Sequence, residues 1–201
     1  MDLRNYQTEA VERLRDAYRD GARRLLLQAG TGAGKTVIGA ALMGYALERG
    51  SRILFLAHRR ELVYQCVDKL TRFDHPCGIL MSGHETSAVA TQVASIQTLW
   101  SRMRRGRLPP PADLVVVDEC HRTMARTYLE VLRAYPEAAV LGLTATPARL
   151  DGRGLGDVYE AMVQCPSIPE LQRDGYLVPG RYFAPYTPDL QGVPIKAGDY
   201  S

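Results

Sequence analysis

Residues 25–36 read Leu-Leu-Leu-Gln-Ala-Gly-Thr-Gly-Ala-Gly-Lys-Thr, an apolar run that passes directly into a glycine-rich loop. The run has the length of a buried strand, and the residues from Lys35 onward follow a helical pattern. Glycines let backbone N–H groups approach phosphate oxygens, and the following helix adds a favourable dipole. Lys35 can reach the terminal phosphates, and the Thr36 hydroxyl can ligate Mg²⁺. The residues predicted to hold the nucleotide phosphates are Gly30, Thr31, Gly32, Ala33, Gly34, Lys35 and Thr36.

The loop departs in one place from the usual phosphate-loop pattern, G-x-x-x-x-G-K-[S/T], because its first glycine is Ala29 here. An alanine can serve at this position if its φ is negative, and Gly30 and Gly32 keep the loop flexible. The alternative interpretation is an ordinary flexible turn. The order of strand, loop and helix favours a phosphate site.

Further apolar runs without polar alternation predict more strands that are buried on both faces. Helical patterns lie between these runs, and alternating strands and helices are typical of an α/β protein with an open, mostly parallel sheet and helices on both faces. The additional predicted strands are 53–56, 78–80, 91–94, 114–117 and 138–141, and the predicted helices are 5–20, 35–49, 60–71, 126–134 and 168–174.

Two other segments look irregular. Residues 102–111 contain four arginines and end in three prolines, which predicts a basic loop. From Pro166 onward prolines and glycines are frequent. We therefore expect one domain over residues 1–165, followed by a short helix and an extended linker over residues 166–201.

Four of the predicted strands run into polar or glycine-rich segments, and in a parallel sheet such ends meet at one edge, where ligands bind. One of these segments is Asp118-Glu119-Cys120-His121. Asp118 could hold Mg²⁺, and Glu119 could orient or deprotonate an attacking water. Two acids after a strand are commonly a solvated turn, but beside a phosphate loop they indicate ATP hydrolysis.

Taken together, the motifs resemble superfamily 2 helicases of the DEAD/DEAH-box kind, here with an Asp-Glu-Cys-His variant. Part of the chain is similar to phage and bacterial DNA helicases of the RadD-like branch and to restriction-enzyme motor subunits. The matching segments are 3–7 (Q motif), 29–36 (motif I), 57–62 (motif Ia), 95–99 (motif Ib region), 118–121 (motif II), 144–146 (motif III), and 146–152 with 175–179 for the narrower branch.

The resemblance implies a RecA-like P-loop NTPase fold, with ATP and Mg²⁺ as cofactors and DNA, rather than RNA, as the favoured partner. It also implies roles for individual residues. These are Lys35, Asp118, Glu119 and His121 in catalysis, Thr36 and Asp118 at the metal, Gln7 at adenine with Arg4 nearby, Thr144 and Thr146 in coupling, and His58, Arg59, Arg60, Gln97 and Thr98 at the nucleic acid.

The residues alone leave alternatives open for the nucleic-acid site. Arg59 and Arg60 could pair with backbone phosphates, which suits a motor that must tolerate every sequence, or they could form an exposed helical turn. His58 is as readily a buried, hydrogen-bonded histidine. Trp100 and Tyr6 are expected in the core rather than as stacking platforms for bases.

By the same resemblance, a motor of this class has a second RecA-like domain, in the same chain or in another, which provides arginines to the ATP cleft. Lack of such an arginine costs about 10³–10⁵ in rate, so we expect weak or no hydrolysis by this chain alone. Arg149 and Arg153 are candidates for an internal arginine. The alternative function is a non-hydrolysing regulatory module that binds nucleotide or nucleic acid. A small-molecule kinase would leave Gln7 and residues 144–147 unexplained.

The composition fits a globular domain, with 46% apolar residues. The formal net charge of +3 is only a weak indication of a polyanionic partner. The cysteines Cys66, Cys77, Cys120 and Cys165 lack metal-site spacing, which predicts reduced thiols. Residues 1–6 do not resemble a signal peptide, and the apolar runs are too short to span a membrane. We therefore expect a cytoplasmic protein without a membrane partner.

Overall fold

The computed structural model describes residues 2–72, 74–84, 89–123, 125–147, 154–180, 195–196 and 199–200. Its helices are α1 (Asn5–Arg19), α2 (Lys35–Glu48), α3 (Arg60–Arg72), α4 (Ile96–Arg104), α5 (Arg126–Arg133) and α6 (Ile168–Arg173), with a 3₁₀ turn at Cys120–Arg122. Its strands are β1 (Arg24–Gln28), β2 (Ile53–Ala57), β3 (Cys77–Leu80), β4 (Thr91–Ser95), β5 (Leu114–Asp118), β6 (Ala139–Thr144), β7 (Ala161–Gln164), β8 (Ile195–Lys196) and β9 (Asp199–Tyr200).

Seven strands form one sheet in the order β3-β4-β2-β5-β6-β1-β7. Every neighbouring pair in this sheet is parallel, as the alternation of strands and helices predicts. The strands β8 and β9 form a separate antiparallel pair. The phosphate-loop strand β1 lies two places from β5, with β6 between them.

The sheet separates two apolar cores. Along β2, Phe55 belongs to the core under α1, α2 and α3, whereas Leu54 and Leu56 belong to the core under α4 and α5. All five residues of β2 are buried, which is why its sequence is continuously apolar instead of alternating. The α/β class, the parallel sheet and the helices on both faces are therefore confirmed.

Two parts of the sequence prediction need correction. The helix α4 was not predicted, and because it continues to Arg104, the first three residues of the segment 102–111 are helical and not part of a loop. The strand β7 was not predicted at all. It lies at the sheet edge beside β1 and buries only Val163 of its four residues, so it lacks the continuous apolar run of the inner strands.

The segment after residue 165 packs onto the first core. The helix α6 begins with a capping box, in which Ser167 and Glu170 satisfy each other's backbone N–H groups. Leu171 has no exposed surface and lies in the same core as α1 and α2, with Tyr176 and Leu177 packed against it. The division of the chain at residues 165 and 166 stays a prediction.

All four cysteines are free thiols. Burial raises the pKa of the Cys165 thiol to about 11 and that of Cys120 to about 12, so both are protonated at neutral pH. Within the described part of the chain, no helix has the length and apolar character needed to cross a membrane.

Candidate active site

The predicted phosphate loop and the predicted acidic pair line one cavity of about 510 Å³ at the carboxyl edge of the sheet. Lys35 and Thr36 stand in the first turn of α2, Asp118 is the last residue of β5, and Glu119 follows it. The structure thus brings together side chains that are about 80 residues apart in sequence, 35–36 against 118–119. Lys69 and Arg72 of α3 line the same cavity, and the sequence analysis did not include them.

The loop has a backbone shape that requires glycine. Gly32 and Gly34 have φ values of +85° and +82°, in the left-handed region. A Cβ on Gly34 would collide with the Gln7 amide, and one on Gly30 would lie 2.9 Å from Cγ1 of Ile168. Ala29 is not among the residues with positive φ, so the missing first glycine is tolerated as expected.

The N-terminal helix supports the loop through one carbonyl. The Tyr6 hydroxyl donates to the Ala33 carbonyl oxygen at 2.9 Å, and Nε2 of Gln7 donates to the same oxygen at 3.2 Å. Oε1 of Gln7 accepts from the Arg4 N–H at 3.0 Å, which caps α1. Tyr6 and Gln7 are both buried, so the expectation that Tyr6 is a core residue is confirmed. The role of Gln7 at adenine stays a prediction.

Arg4 lies on the outer side of the same loop. Its guanidinium donates to the Tyr176 carbonyl oxygen at 3.2 Å and stands 5.4 Å from the centre of the Tyr176 ring. The Tyr6 and Tyr176 rings meet edge to face at 5.0 Å. A cation and an aromatic ring beside a phosphate loop are suited to a nucleotide base. Tyr176 was given no individual role in the sequence analysis.

Asp118 is a partly buried carboxylate at the end of β5. Burial raises the pKa of its carboxyl, and the nearby Glu119 raises it further. A hydrogen bond from the Glu119 N–H at 3.0 Å and the charges of Lys35 and Lys69 act in the opposite direction. A bound divalent cation would favour the ionised form in the same way.

Glu119 has a strained backbone. Its φ of 49° and ψ of 51° place it in the left-handed region, which costs a residue with a side chain about 1–2 kcal/mol. Such strain concentrates at functional sites, where the surrounding structure maintains it. The turn brings Nδ1 of His121 to 3.3 Å from Oε2 of Glu119, so two of the predicted catalytic residues are in contact.

The donor set fits a magnesium ion that is bound together with a nucleotide. Among the described residues, no group of three His, Cys, Asp or Glu side chains could hold a metal by itself. Mg²⁺ keeps several waters and needs only one or two protein oxygens beside phosphate oxygens. Thr36 and Asp118, which line the same cavity, provide one hydroxyl and one carboxylate.

The turn after β6 joins the phosphate loop to the acidic strand. Thr144 is fully buried, and its hydroxyl donates to the Thr146 carbonyl oxygen at 2.7 Å and accepts from the Thr146 N–H at 3.1 Å. Its carbonyl oxygen accepts from the Ala29 N–H at 3.0 Å. The predicted coupling residues are therefore hydrogen-bonded to each other and to the start of the loop.

A buried tyrosine supports the acidic turn from below. The Tyr159 ring lies against the backbone of Gly142 in β6, and its hydroxyl lies 3.0 Å from Oγ1 of Thr123. Thr123 directly follows the 3₁₀ turn that carries His121. Tyr159 and Gly142 stand in no recognised motif, so the sequence alone did not indicate them.

The predicted nucleic-acid residues lie at two neighbouring strand ends. Since Ala57 of β2 stands opposite Ser95 of β4, residues 58–60 and residues 97–98 are brought close together. Arg59, Arg60 and Gln97 are exposed, whereas His58 and Thr98 are partly buried.

The structure adds a tyrosine and a histidine to this surface. The guanidinium of Arg60 donates to the Tyr64 hydroxyl at 3.2 Å, which in turn lies 2.9 Å from Nε2 of His84. Trp100 lies elsewhere, packed against the second core, and its indole donates to Glu130 at 2.6 Å. The proposed internal arginines, Arg149 and Arg153, fall outside the described residues.

Comparisons with known proteins agree with this arrangement. A scan against family profiles matches residues 1–149 to "Type III restriction enzyme, res subunit". The chain is 31% identical over 176 residues to a 51.5 kDa protein of a Lactococcus phage, covering 88% of this chain and 36% of that protein. It is 32% identical over 190 residues to the type I restriction enzyme EcoAI endonuclease subunit of Escherichia coli, covering 88% of this chain and 23% of that subunit.

Among solved structures, the Hef helicase domain of Pyrococcus furiosus has a TM-score of 0.67 at 25% identity, over 81% of this chain and 37% of that one. The chain thus spans only about a third or less of the length of these relatives. The chain belongs to the family of the type III restriction enzyme res subunit, and its fold is that of the first RecA-like motor domain of superfamily 2 helicases.

Proposed function

We propose that this chain is the ATP-binding motor lobe of an ATP-dependent helicase or translocase that acts on DNA rather than RNA. The observation that supports this most directly is the shared cavity, in which the phosphate loop faces the strained acidic turn. The four free thiols support a cytoplasmic location, which is part of the same proposal.

In this proposal the chain's own side chains divide the work of hydrolysis. Lys35 and the loop N–H groups bind the terminal phosphates, and Thr36 and Asp118 would hold Mg²⁺, which would neutralise charge on the phosphate oxygens when bound. Glu119 orients the attacking water and accepts its proton. Its strained backbone aims the carboxylate into the cavity, and the contact with His121 links the site to the turn beyond.

The surface at the strand ends favours a nucleic acid as the substrate, and the relatives favour DNA. Exposed arginines and an amide at neighbouring strand ends suit a grip on phosphates, which any sequence offers. The EcoAI subunit is part of a restriction enzyme, and the Hef chain is a helicase domain. Because this chain covers only part of those relatives, the substrate of the whole protein stays a proposal.

The proposed site is incomplete without a second RecA-like domain, in the same chain or in another. Such a domain would close over the cavity and add the arginines that stabilise charge during phosphoryl transfer. Their absence costs about 10³–10⁵ in rate, so the lobe alone should bind nucleotide and turn over little of it.

Hydrolysis and binding should be measured side by side on this chain. We expect saturable ADP and ATP binding with Mg²⁺, and negligible ATP hydrolysis whether or not single-stranded DNA, duplex DNA or RNA is added. Completion with a second motor domain should then yield turnover that DNA stimulates more than RNA. Turnover that stays negligible in the completed protein would favour the alternative, a regulatory module that binds without hydrolysing.

The role of Gln7 at adenine can be separated from its support of the loop. We expect Gln7→Ala to reduce the preference for ADP over GDP by about tenfold, because hydrogen bonds to the adenine edge would be lost. Isothermal titration with both nucleotides measures this preference.

Tyr6→Phe is the matched control, since it removes the other donor to the Ala33 carbonyl but no adenine contact. Tyr6→Phe should weaken the binding of ADP and of GDP equally. If Gln7→Ala also weakened the binding of ADP and GDP equally, Gln7 would act only as a support of the loop.

A further inference from the structure

A second cavity, of about 390 Å³, lies at the opposite edge of the sheet from the nucleotide site. It is bounded by the end of α1 and the end of α2, where β5 and β6 begin. Leu42, Ala46, Leu114 and Ala139 form an apolar floor. Nothing in the proposed hydrolysis uses this cavity.

The rim of the cavity carries four arginines, from α1, from the turn before β1 and from the end of α2. The guanidinium of Arg15 stacks on the Tyr45 ring at 4.2 Å, and Arg19 pairs with Asp16 at 2.8 Å. In the described part of the chain, no carboxylate lies within ion-pair distance of the guanidinium of Arg23 or Arg49. Both of these side chains are exposed.

The nearby acids are already engaged. Asp113 lines the cavity, but Arg52 holds it through two side-chain hydrogen bonds of 2.8 and 3.0 Å, which lower the pKa of its carboxyl to about 2. Glu160 accepts the backbone N–H of Arg23 at 2.7 Å. Four arginines line the cavity against one acid, Asp113, whose charge Arg52 balances, so the rim keeps a surplus of positive charge above an apolar floor.

We propose that this cavity binds an acidic peptide segment of a partner protein, with one large apolar side chain in the floor and carboxylates on Arg23 and Arg49. Arginine suits carboxylates because its fork of donors matches their two oxygens. An apolar anchor surrounded by charge is the usual anatomy of a small protein interface.

A nucleic acid fits this cavity less well. A phosphate backbone has no apolar group for the floor, and the concave site is of the size that takes a side chain or a small ligand. The predicted nucleic-acid residues also lie at the other edge of the sheet.

The probe for this proposal is a fluorescein-labelled peptide in which aspartates surround two phenylalanines, titrated with the 201-residue chain by fluorescence anisotropy. We expect saturable binding that weakens at least about tenfold in the double variant Arg23→Glu with Arg49→Glu. Replacement of the two phenylalanines by serine should weaken it as well. Arg105→Glu with Arg107→Glu, which changes the charge of exposed arginines elsewhere, should leave binding unchanged.

Several outcomes would overturn the proposal. These are an absence of saturable binding, an equal loss in both double variants, or no effect of the phenylalanines. In a further outcome, a single-stranded oligonucleotide displaces the peptide from every protein except the variant in which Arg23 and Arg49 are both changed. That result would mean that the cavity is a nucleic-acid site instead. ADP titration and thermal melting of every variant report separately on the nucleotide site and on folding.

Discussion

Glu119→Gln is expected to lower the ATP turnover of the completed motor by about 10²–10⁴-fold while leaving nucleotide affinity nearly unchanged. Glutamine has the shape of glutamate but cannot accept a proton from water, so only the chemical step is affected. The left-handed backbone and the contact with His121 fix the position of the Glu119 side chain. The neutral amide of the glutamine can therefore occupy the same position. Steady-state hydrolysis and equilibrium binding of ADP measure the two effects separately.

Lys35→Ala is the contrasting variant. Lys35 lines the same cavity and is proposed to contact the phosphates themselves, so its loss should weaken ATP binding by about 10–100-fold as well as turnover. Turnover that survived both changes would mean that hydrolysis takes place elsewhere. A loss of binding in Glu119→Gln equal to that in Lys35→Ala would mean that Glu119 maintains the fold of the site rather than its chemistry.

Gly142→Ala is expected to lower the free energy of unfolding by about 3 kcal/mol. A Cβ at this position in β6 would lie 2.5–2.7 Å from two ring carbons and the hydroxyl oxygen of Tyr159. The ring is buried and its hydroxyl lies 3.0 Å from Thr123, so it has little room to move. Urea denaturation followed by circular dichroism measures the change.

Gly156→Ala is the matched control for this substitution. Its added methyl would meet no atom within 4 Å, and Gly156 does not have a positive φ. Its stability should be unchanged or slightly higher, because alanine restricts the unfolded chain. Equal stability of the two variants would show that the Tyr159 ring can move aside for the added methyl group.

Much of the fold was predictable because its signals are local. The inner strands β1, β2, β5 and β6 are buried on both faces, so their apolar runs are visible without knowledge of any neighbour. The edge strand β7 buries one residue of four and has no such signal. The helix α4 was also missed, because its basic end at Arg102 and Arg104 has the composition of a solvated loop.

The candidate site divides in the same way. The sequence by itself determined the phosphate loop and the acidic pair, because phosphate and metal chemistry demand particular residue types at short, regular spacing. The parallel order of the strands then required their ends to meet at one edge.

Only the tertiary structure decided which side chains support that site. Tyr6 and Gln7 hold the Ala33 carbonyl from another helix, Tyr159 fills the space above Gly142, and Tyr176 packs beside Arg4. Each of these contacts joins positions that are at least 17 residues apart in sequence, as for Gly142 and Tyr159. Contacts of this kind depend on shape and distance after folding, and they leave no periodic pattern in the chain.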